Sequence, residues 1–201
     1  MRNTRNTQEI MDILKPEKLI LIFRHGNKDE KGHVTQECLD KIIREGIPGA
    51  GLNINTVHYG SGFIRTEETV TALVLWLLRN NCRPEFGLDH DDRFGSQRWL
   101  DVFSPSVREE GAKLGYNFYQ MIKHLAPEEY AAWRAELNDA ILEVFDAMES
   151  GDICALPAHS PTVELVDSLF ADKEDESLQI KEMEGIFLLM TSEGEIKVIR
   201  G

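Results

Sequence analysis

The sequence of 201 residues has no apolar run long enough to cross a membrane as a helix. Such a helix needs about 20 consecutive apolar residues, and the longest candidate, residues 73–78, is far shorter. Residues 1–18 include two arginines but no continuous apolar segment, so we predict no secretory signal. We therefore expect no membrane partner.

Cysteine is scarce. The chain has three, which are widely spaced and odd in number: Cys38, Cys82 and Cys154. This pattern fits neither a disulfide framework nor a C-x-x-C metal-binding pair. We therefore expect a reduced protein with a cytoplasmic location.

Basic side chains are outnumbered, and the formal net charge is -13. Residues 1–100 contain 14 basic and 14 acidic side chains, whereas residues 101–201 contain 8 and 21. A protein this acidic repels nucleic acid and anionic lipid over most of its surface. We predict no nucleic-acid partner, and we expect any anionic ligand to bind in a local basic pocket built chiefly from the first half of the chain.

Short apolar runs alternate with amphipathic helical patterns along the chain. Strands are predicted over residues 18–23, 56–59, 153–158, 185–191 and 196–199. Helices are predicted over residues 64–78, 105–125 and 127–150, with a last one opening at Ser160-Pro161.

This alternation predicts an α/β fold with a mainly parallel central sheet flanked by helices. We expect one domain over residues 1–201. Residues 101–150 carry only helical patterns, and we interpret them as a helical insertion or cap within that domain. Residues 172–184 are highly charged and are predicted to form a surface loop.

The first predicted strand is followed directly by Arg24-His25-Gly26. The carboxyl ends of parallel strands line the crevice where α/β proteins bind ligands. The arginine fork matches phosphate oxygens, and a neutral imidazole is a competent nucleophile. By itself the triplet could equally be a turn with a solvated arginine.

Two later strand-to-helix junctions have the same character. Arg65 falls in the first turn of the helix that follows Ser61, and we expect Ser61 to cap that helix. His159 follows the predicted strand 153–158. A capped helix or a structural histidine would explain either one alone, but three such junctions together predict an anion site.

These residues resemble the histidine phosphatase superfamily, also called phosphoglycerate mutase-like proteins. The resemblance consists of the Arg-His-Gly triplet, Ser-x-x-x-Arg-x-x-x-Thr from Ser61 to Thr69, and the late histidine His159. The late segment His-x-Pro-x-Val-Glu is similar to the short phosphohistidine phosphatase branch. The matching motifs and the elements between them span residues 18–200.

The resemblance implies a phosphatase that needs no metal and no other cofactor. His25 would attack phosphorus and carry the phosphoryl group until water removes it, and His159 would be the second catalytic histidine. The phosphate would be bound by Arg24, Arg65, Ser61 and Asn27. The substrate would be a small phosphorylated molecule or a phosphoprotein; its identity and the oligomeric state stay open.

A leaving alkoxide also needs a proton. Mutases of this family have a glutamate four residues before a glycine, and Asp91 occupies that position before Gly95. Asp91 is therefore the predicted proton donor, and Asp89 is the second candidate. Residues 89–92 could alternatively form a metal site or a solvated acidic turn.

Some positions depart from the family pattern, among them Asn27-Lys28, Gly62 and Ser160. None of these changes removes a charge needed for phosphate binding. The signature of glycolytic mutases after the Arg-His-Gly triplet is missing, so a phosphatase is favoured over a mutase or phosphotransferase. A catalytically silent phosphate-binding module is the third alternative.

Overall fold

A computed structural model describes residues 17–47, 49, 52–87 and 89–200. Its strands are β1 Lys18–Arg24, β2 Thr56–Val57, β3 Glu85–Phe86, β4 Ile153–Ala158, β5 Gly185–Met190 and β6 Ile196–Arg200. Its helices are α1 Gln36–Glu45, α2 Ile64–Arg79, α3 Gln97–Val102, α4 Pro105–Leu114, α5 Phe118–Leu125, α6 Pro127–Ala147 and α7 Thr162–Phe170. None of these helices is both long enough and apolar enough to span a bilayer, a finding that covers the described residues.

The strands form one sheet in the order β3-β2-β4-β1-β5-β6. Strands β1 to β4 run parallel to one another, and β5 and β6 each run antiparallel to the preceding neighbour. The prediction of a mainly parallel sheet flanked by helices is confirmed, as is the closing hairpin β5–β6.

Strand β1 is buried on both faces. Leu19, Leu21 and Phe23 pack on the face covered by α1 and α2, whereas Ile20 and Ile22 pack on the face covered by α6 and α7. Successive side chains of a strand point to opposite sides, so covering both faces requires an unbroken apolar run. This requirement explains why the run was recognisable in the sequence.

The pairing of β1 with β4 positions the residues that follow both strands. Arg24 lies opposite Ala158 in this parallel register, and the backbone N–H of His25 donates to the carbonyl of Ala158 at 3.0 Å. The chain after each strand therefore leaves the sheet at the same edge. That edge carries both His25 and His159.

Two helix predictions need correction. The pattern over residues 105–125 is two helices, because Gly115 adopts a left-handed conformation (φ 71°) that ends α4, and Asn117 then caps α5 with a capping box. Ser61 does not cap the helix after it. The residue at the cap of α2 is Phe63, which provides no side-chain hydrogen bond.

The segment 101–150 contains helix and turn but no strand, as predicted; all its residues are described. Its interpretation as an insertion or cap stays a prediction. Helix α6 packs against the sheet through its buried stripe, which includes Trp133, Leu137 and Ile141. Helix α1 was not predicted from the sequence.

Candidate active site

His25 lies at the start of the β1–α1 loop and is buried, with 3% of its surface exposed. Its Nδ1 is 2.6 Å from the carbonyl oxygen of Gly26, and its Nε2 is 3.0 Å from Nε of Arg65. A carbonyl can only accept and a guanidinium can only donate, so the proton sits on Nδ1 and the lone pair on Nε2. Burial lowers the pKa of His25 to about 3, assisted by the charges of Arg65 and Arg24. His25 is therefore neutral at neutral pH.

His159 lies beside His25, with the ring centroids 4.9 Å apart. Its Nδ1 is 3.2 Å from the same Nε of Arg65, and its Nε2 is 2.5 Å from Oγ of Ser61. By the same reasoning, Nδ1 accepts and the Nε2–H group donates to Ser61. Burial and the neighbouring His25 and Arg65 lower the pKa of His159 well below its ordinary value. The second imidazole is also neutral.

The segment before α2 positions the side chains of Arg65 and His159. The hydroxyl of Thr66 lies 2.7 Å from the carbonyl oxygen of Ser61 and 2.6 Å from that of Phe63, with hydrogen-bond geometry to both. The Phe63 ring lies 4.4 Å below the guanidinium of Arg65 and meets His159 edge-on. Ser61 thus directs its hydroxyl to His159, and its predicted contact with phosphate stays a prediction.

Thr69 connects the loop that follows β1 to helix α2. Its Oγ1 accepts from the backbone N–H of Gly26 at 3.1 Å and donates to the carbonyl of Arg65 at 2.7 Å. The threonine of the sequence motif therefore anchors the loop that bears His25 to the helix that bears Arg65.

Arg24 binds the loop that precedes β5. Its Nη1 donates to the carbonyl of Ile180 at 3.0 Å, and its Nη2 lies 2.7 Å from Oε1 of Glu182. Burial lowers the pKa of Arg65, and the positive charge of Arg24 lowers it further. The contacts with Ile180 and Glu182 were not predicted, because a loop far away in sequence supplies them.

Asn27 and Lys28 follow His25 and are exposed. The carbonyl of Asn27 accepts from the backbone N–H of Thr35. No described residue bonds the Asn27 side chain, and its predicted role in phosphate binding stays a prediction. The charge of Lys28 helps to lower the pKa of both His25 and His159, so a third cation acts on the site.

Asp91 is held by an arginine. Its carboxylate accepts from the backbone N–H of Arg93 at 2.9 Å and from the guanidinium at 2.7–3.0 Å. Arg93 also bonds Glu143 at 2.5 Å, and the two carboxylates raise the pKa of Arg93. The role of Asp91 as proton donor stays a prediction. Its carboxylate is engaged in the ion pair with Arg93.

The neighbours of Asp91 have other partners. Asp89 is exposed, and Nε2 of His90 lies 3.3 Å from Glu67. Within the described residues, no group of three histidine, cysteine, aspartate or glutamate side chains could hold a metal ion. Gly95 belongs to the site instead: a Cβ there would lie 2.6 Å from Cδ2 of His159.

The arrangement brings Arg65, His25 and His159 into mutual contact and places Arg24 and Lys28 close enough to influence their titration. Cationic groups at an edge of the sheet attract an anion. A neutral imidazole with its lone pair on Nε2 can attack an electrophilic atom held there. The site thus has the parts needed to bind a phosphoryl group and accept it on nitrogen.

Comparison with solved structures shows the fold. A phosphoglycerate mutase from Bacillus anthracis str. Sterne aligns over 92% of both chains with a TM-score of 0.63 and 12% identity. A mycobacterial glucosyl-3-phosphoglycerate phosphatase aligns over 92% of this chain and 97% of its own, with a TM-score of 0.56 and 12% identity. No protein-family model and no curated protein sequence matches the chain.

The protein therefore has the phosphoglycerate mutase-like α/β fold, the fold of the histidine phosphatase superfamily. The resemblance inferred from the sequence is confirmed at this level. The likeness to the short phosphohistidine phosphatase branch stays a prediction.

Proposed function

We propose that the protein is a phosphatase that hydrolyses phosphate monoesters through a phosphohistidine intermediate on His25. One observation carries this proposal: a buried neutral histidine has its Nδ1 proton engaged by Gly26 and its Nε2 lone pair against Arg65. A nucleophile needs a free lone pair and a fixed orientation. The fold, which it shares with known phosphatases and mutases, supports the same conclusion.

In the proposed reaction the phosphate dianion enters between Arg65 and Arg24, which offset its charge. Arg65 then directs donors to the phosphate oxygens, which frees Nε2 of His25. The Nε2–P bond forms while the bond from phosphorus to the leaving oxygen breaks. Water attacks the phosphohistidine in a second step and releases inorganic phosphate.

The neutral state of both imidazoles suits these steps. A protonated His25 would have no lone pair to offer, and its pKa of about 3 keeps the imidazole unprotonated at neutral pH. The Nδ1–H bond to Gly26 stabilises the positive charge that the ring gains when Nε2 bonds to phosphorus.

The proposed substrates are small phosphorylated molecules or phosphoproteins, in line with the acidic surface, which disfavours nucleic acid. A cytoplasmic location also stays part of the proposal. A mutase or phosphotransferase and a silent phosphate-binding module are the alternatives that the following experiment separates.

Phosphate release from p-nitrophenyl phosphate, measured in the presence of a chelator, tests the proposal. We expect turnover in the wild type, loss of turnover in His25→Ala, and wild-type rates in His124→Ala, a control on α5 that pairs with Glu176. Equal rates in the wild type and His25→Ala would refute it.

Reaction with an ester labelled in its phosphoryl group, stopped in alkaline denaturant because a phosphohistidine is labile in acid, separates the alternatives. A phosphoenzyme present in the wild type and lacking in His25→Ala supports the proposed intermediate. Faster transfer of the label to an added alcohol or sugar than to water would identify a phosphotransferase. Tight binding of phosphate with no turnover of any ester would identify the silent module.

A further inference from the structure

A cavity of about 340 Å³ lies beside Arg24, on the side of the loop that precedes β5. Ser160 and Glu164 line it, together with aromatic residues before and within α5: Tyr116, Phe118 and Tyr119. Arg24 thus contributes both to this cavity and to the cationic site. A ligand whose phosphoryl group is held by Arg24 can extend into the cavity.

Glu164 is the most unusual residue of the cavity. It lies in the first turn of α7 and only 4% of its surface is exposed. Its Oε1 accepts from the hydroxyl of Ser160 at 2.8 Å and from the backbone N–H of Ile180 at 2.9 Å. Its Oε2 is buried and has no hydrogen-bond partner among the described residues. A buried polar atom without a partner is costly unless a ligand satisfies it.

The two contacts determine where a proton would sit. Both groups on Oε1 are donors, so Oε1 acts as the acceptor and a proton on this carboxyl group belongs on Oε2. Burial raises the pKa of Glu164, although the charge of Arg24 opposes this effect. A bound phosphate dianion would offset Arg24 and so favour the protonated carboxyl further.

We propose that this cavity receives the leaving group of the substrate and that Glu164 donates the proton from Oε2 to the leaving oxygen. This inference rests on the proposed phosphatase function. It supplies a proton donor in place of Asp91, whose carboxylate is paired with Arg93.

The step balances in atoms and charge. As the bond from Nε2 of His25 to phosphorus forms and the bond from phosphorus to the leaving oxygen breaks, the Glu164 proton moves to that oxygen. An alcohol and a Glu164 carboxylate result. In the second step, the water oxygen bonds to phosphorus as the bond from Nε2 of His25 to phosphorus breaks. The water gives a proton back to the Glu164 carboxylate, and inorganic phosphate leaves neutral His25.

The other charged or titratable groups around Glu164 come from several elements. Arg24 belongs to β1, and Lys181 and Glu182 belong to the loop before β5. Tyr116 precedes α5, and Tyr119 lies within it. Glu182 pairs with Arg24 at 2.7 Å and so reduces the effect of that cation on Glu164. The aromatic lining suits an aryl leaving group, which makes aryl phosphates suitable probes.

The test compares two aryl esters in the wild type and Glu164→Gln. p-Nitrophenol leaves readily without protonation, whereas phenol is a poor leaving group that needs it. We expect kcat/KM, which reports the steps up to formation of the phosphohistidine, to fall roughly 100-fold for phenyl phosphate in Glu164→Gln and to change by less than about threefold for p-nitrophenyl phosphate. The glutamine oxygen still accepts from Ser160 and Ile180, so the variant preserves the positioning of the loop.

An equal fall of kcat/KM with both esters in Glu164→Gln would show that Glu164 only positions Ile180 and Arg24. An unchanged kcat/KM with both esters would also overturn the proposal. The matched variant Asp91→Asn should show no dependence on the leaving group; if it shows the selective loss instead, Asp91 is the donor. A wild type that hydrolyses neither ester would refute the phosphatase function itself.

A measurement on the wild type covers the case in which Glu164→Gln does not fold. The plot of kcat/KM against pH should fall on the alkaline side with phenyl phosphate as Glu164 loses its proton, and should stay level there with p-nitrophenyl phosphate. The same alkaline fall with both esters would contradict the proposal.

Discussion

The Nε of Arg65 donates to Nε2 of His25 across 3.0 Å, so the arginine covers the lone pair that the proposed reaction needs. The same Nε lies 3.2 Å from Nδ1 of His159, and no described residue bonds the terminal nitrogens of Arg65. An arriving phosphate would draw those nitrogens to its oxygens and uncover His25. Arg65 would thus protect the nucleophile in the free protein and bind the phosphoryl group in the complex.

Replacement of Arg65 by methionine should reduce kcat for p-nitrophenyl phosphate by roughly 100- to 1,000-fold, because a donor to the transferring group is lost. Inorganic phosphate should also become a weaker competitive inhibitor. Arg79→Met, in the last turn of the same helix, removes an equal charge far along α2 and serves as the control. Unchanged inhibition by phosphate in Arg65→Met would contradict the assigned role.

The two buried histidines should make the protein less stable as the pH falls. Unfolded histidine binds a proton near pH 6.5, whereas the pKa of folded His25 is about 3. Between these values only the unfolded state gains the proton, so the free energy of unfolding falls by roughly 1.4 kcal/mol per pH unit for such a group. Urea unfolding at pH 5 to 7 should show a shallower decline in His25→Asn and His159→Asn.

His33 should affect the pH dependence of stability in the opposite direction to His25 and His159. Its hydrogen bond to Glu68, 2.7 Å long, raises the pKa of His33 in the folded protein. Its contribution is therefore present at low pH and is lost as the pH rises through that raised pKa. Above about pH 6.5, the pKa of unfolded histidine, His33→Asn should steepen the fall of the unfolding free energy toward acid, as urea unfolding extended above pH 7 would show, whereas His25→Asn flattens that fall below about pH 6.5. The same change of slope in both variants would show that the buried histidines are not the source of the decline.

Gly95 should be required for activity because of its contact with His159. It has φ 143°, and an added Cβ would lie 2.6 Å from Cδ2 of His159 and 3.4 Å from Cβ of Ser61. Gly95→Ala should lower kcat by displacing the imidazole. Gly115→Ala is the matched control: its φ is 71°, but nothing lies within 4 Å of the added carbon.

Both alanine variants should lose stability through backbone strain, roughly 1–2 kcal/mol for the left-handed Gly115 and roughly 1–3 kcal/mol for Gly95. Thermal unfolding would verify this shared loss, and steady-state kinetics would show whether only Gly95→Ala loses activity. Full activity in Gly95→Ala at a temperature where it is folded would mean that the position of His159 tolerates the change.

Glu182 should compete with phosphate for Arg24. Its carboxylate lies 2.7 Å from Nη2 of Arg24, and the two side chains are 34% and 23% exposed. An ion pair with this much exposure is worth about 0.2–1 kcal/mol, so Glu182→Gln should tighten inhibition by phosphate at most about fivefold. Glu193→Gln, in the β5–β6 turn, makes the same change in net charge. A similar effect in both variants would indicate general electrostatics rather than competition.

Much of the fold could be predicted because its signals are local. The unbroken run of β1 and the helix signals of α6, with Pro127 at its first position, are contained within single elements. The division of residues 105–125 was missed, although Gly115 and the cap at Asn117 mark it. The helical spacing of apolar residues continues across Gly115, so the pattern over residues 105–125 indicated one helix instead of two.

The candidate site was predictable where residues follow strands, as His25 and His159 do. The partners of these residues were not predictable, because they depend on how distant loops approach each other. Ser61 was expected to cap a helix, yet it lies three positions before α2 begins and reaches His159 instead. The pairing of Arg24 with Glu182 joins residues 158 positions apart, so it cannot be predicted from a local sequence pattern.

The backbone of Ile180 accepts from Arg24 through its carbonyl oxygen and donates to Glu164 through its N–H. One backbone unit therefore sets the position of a cation and of a carboxyl group that belong to separate elements. Chimeras that exchange this loop with that of another protein of the same fold would preserve both groups only if a residue with the same backbone placement is retained. The side chain at 180 could vary freely by comparison, provided that it stays apolar enough to remain inside.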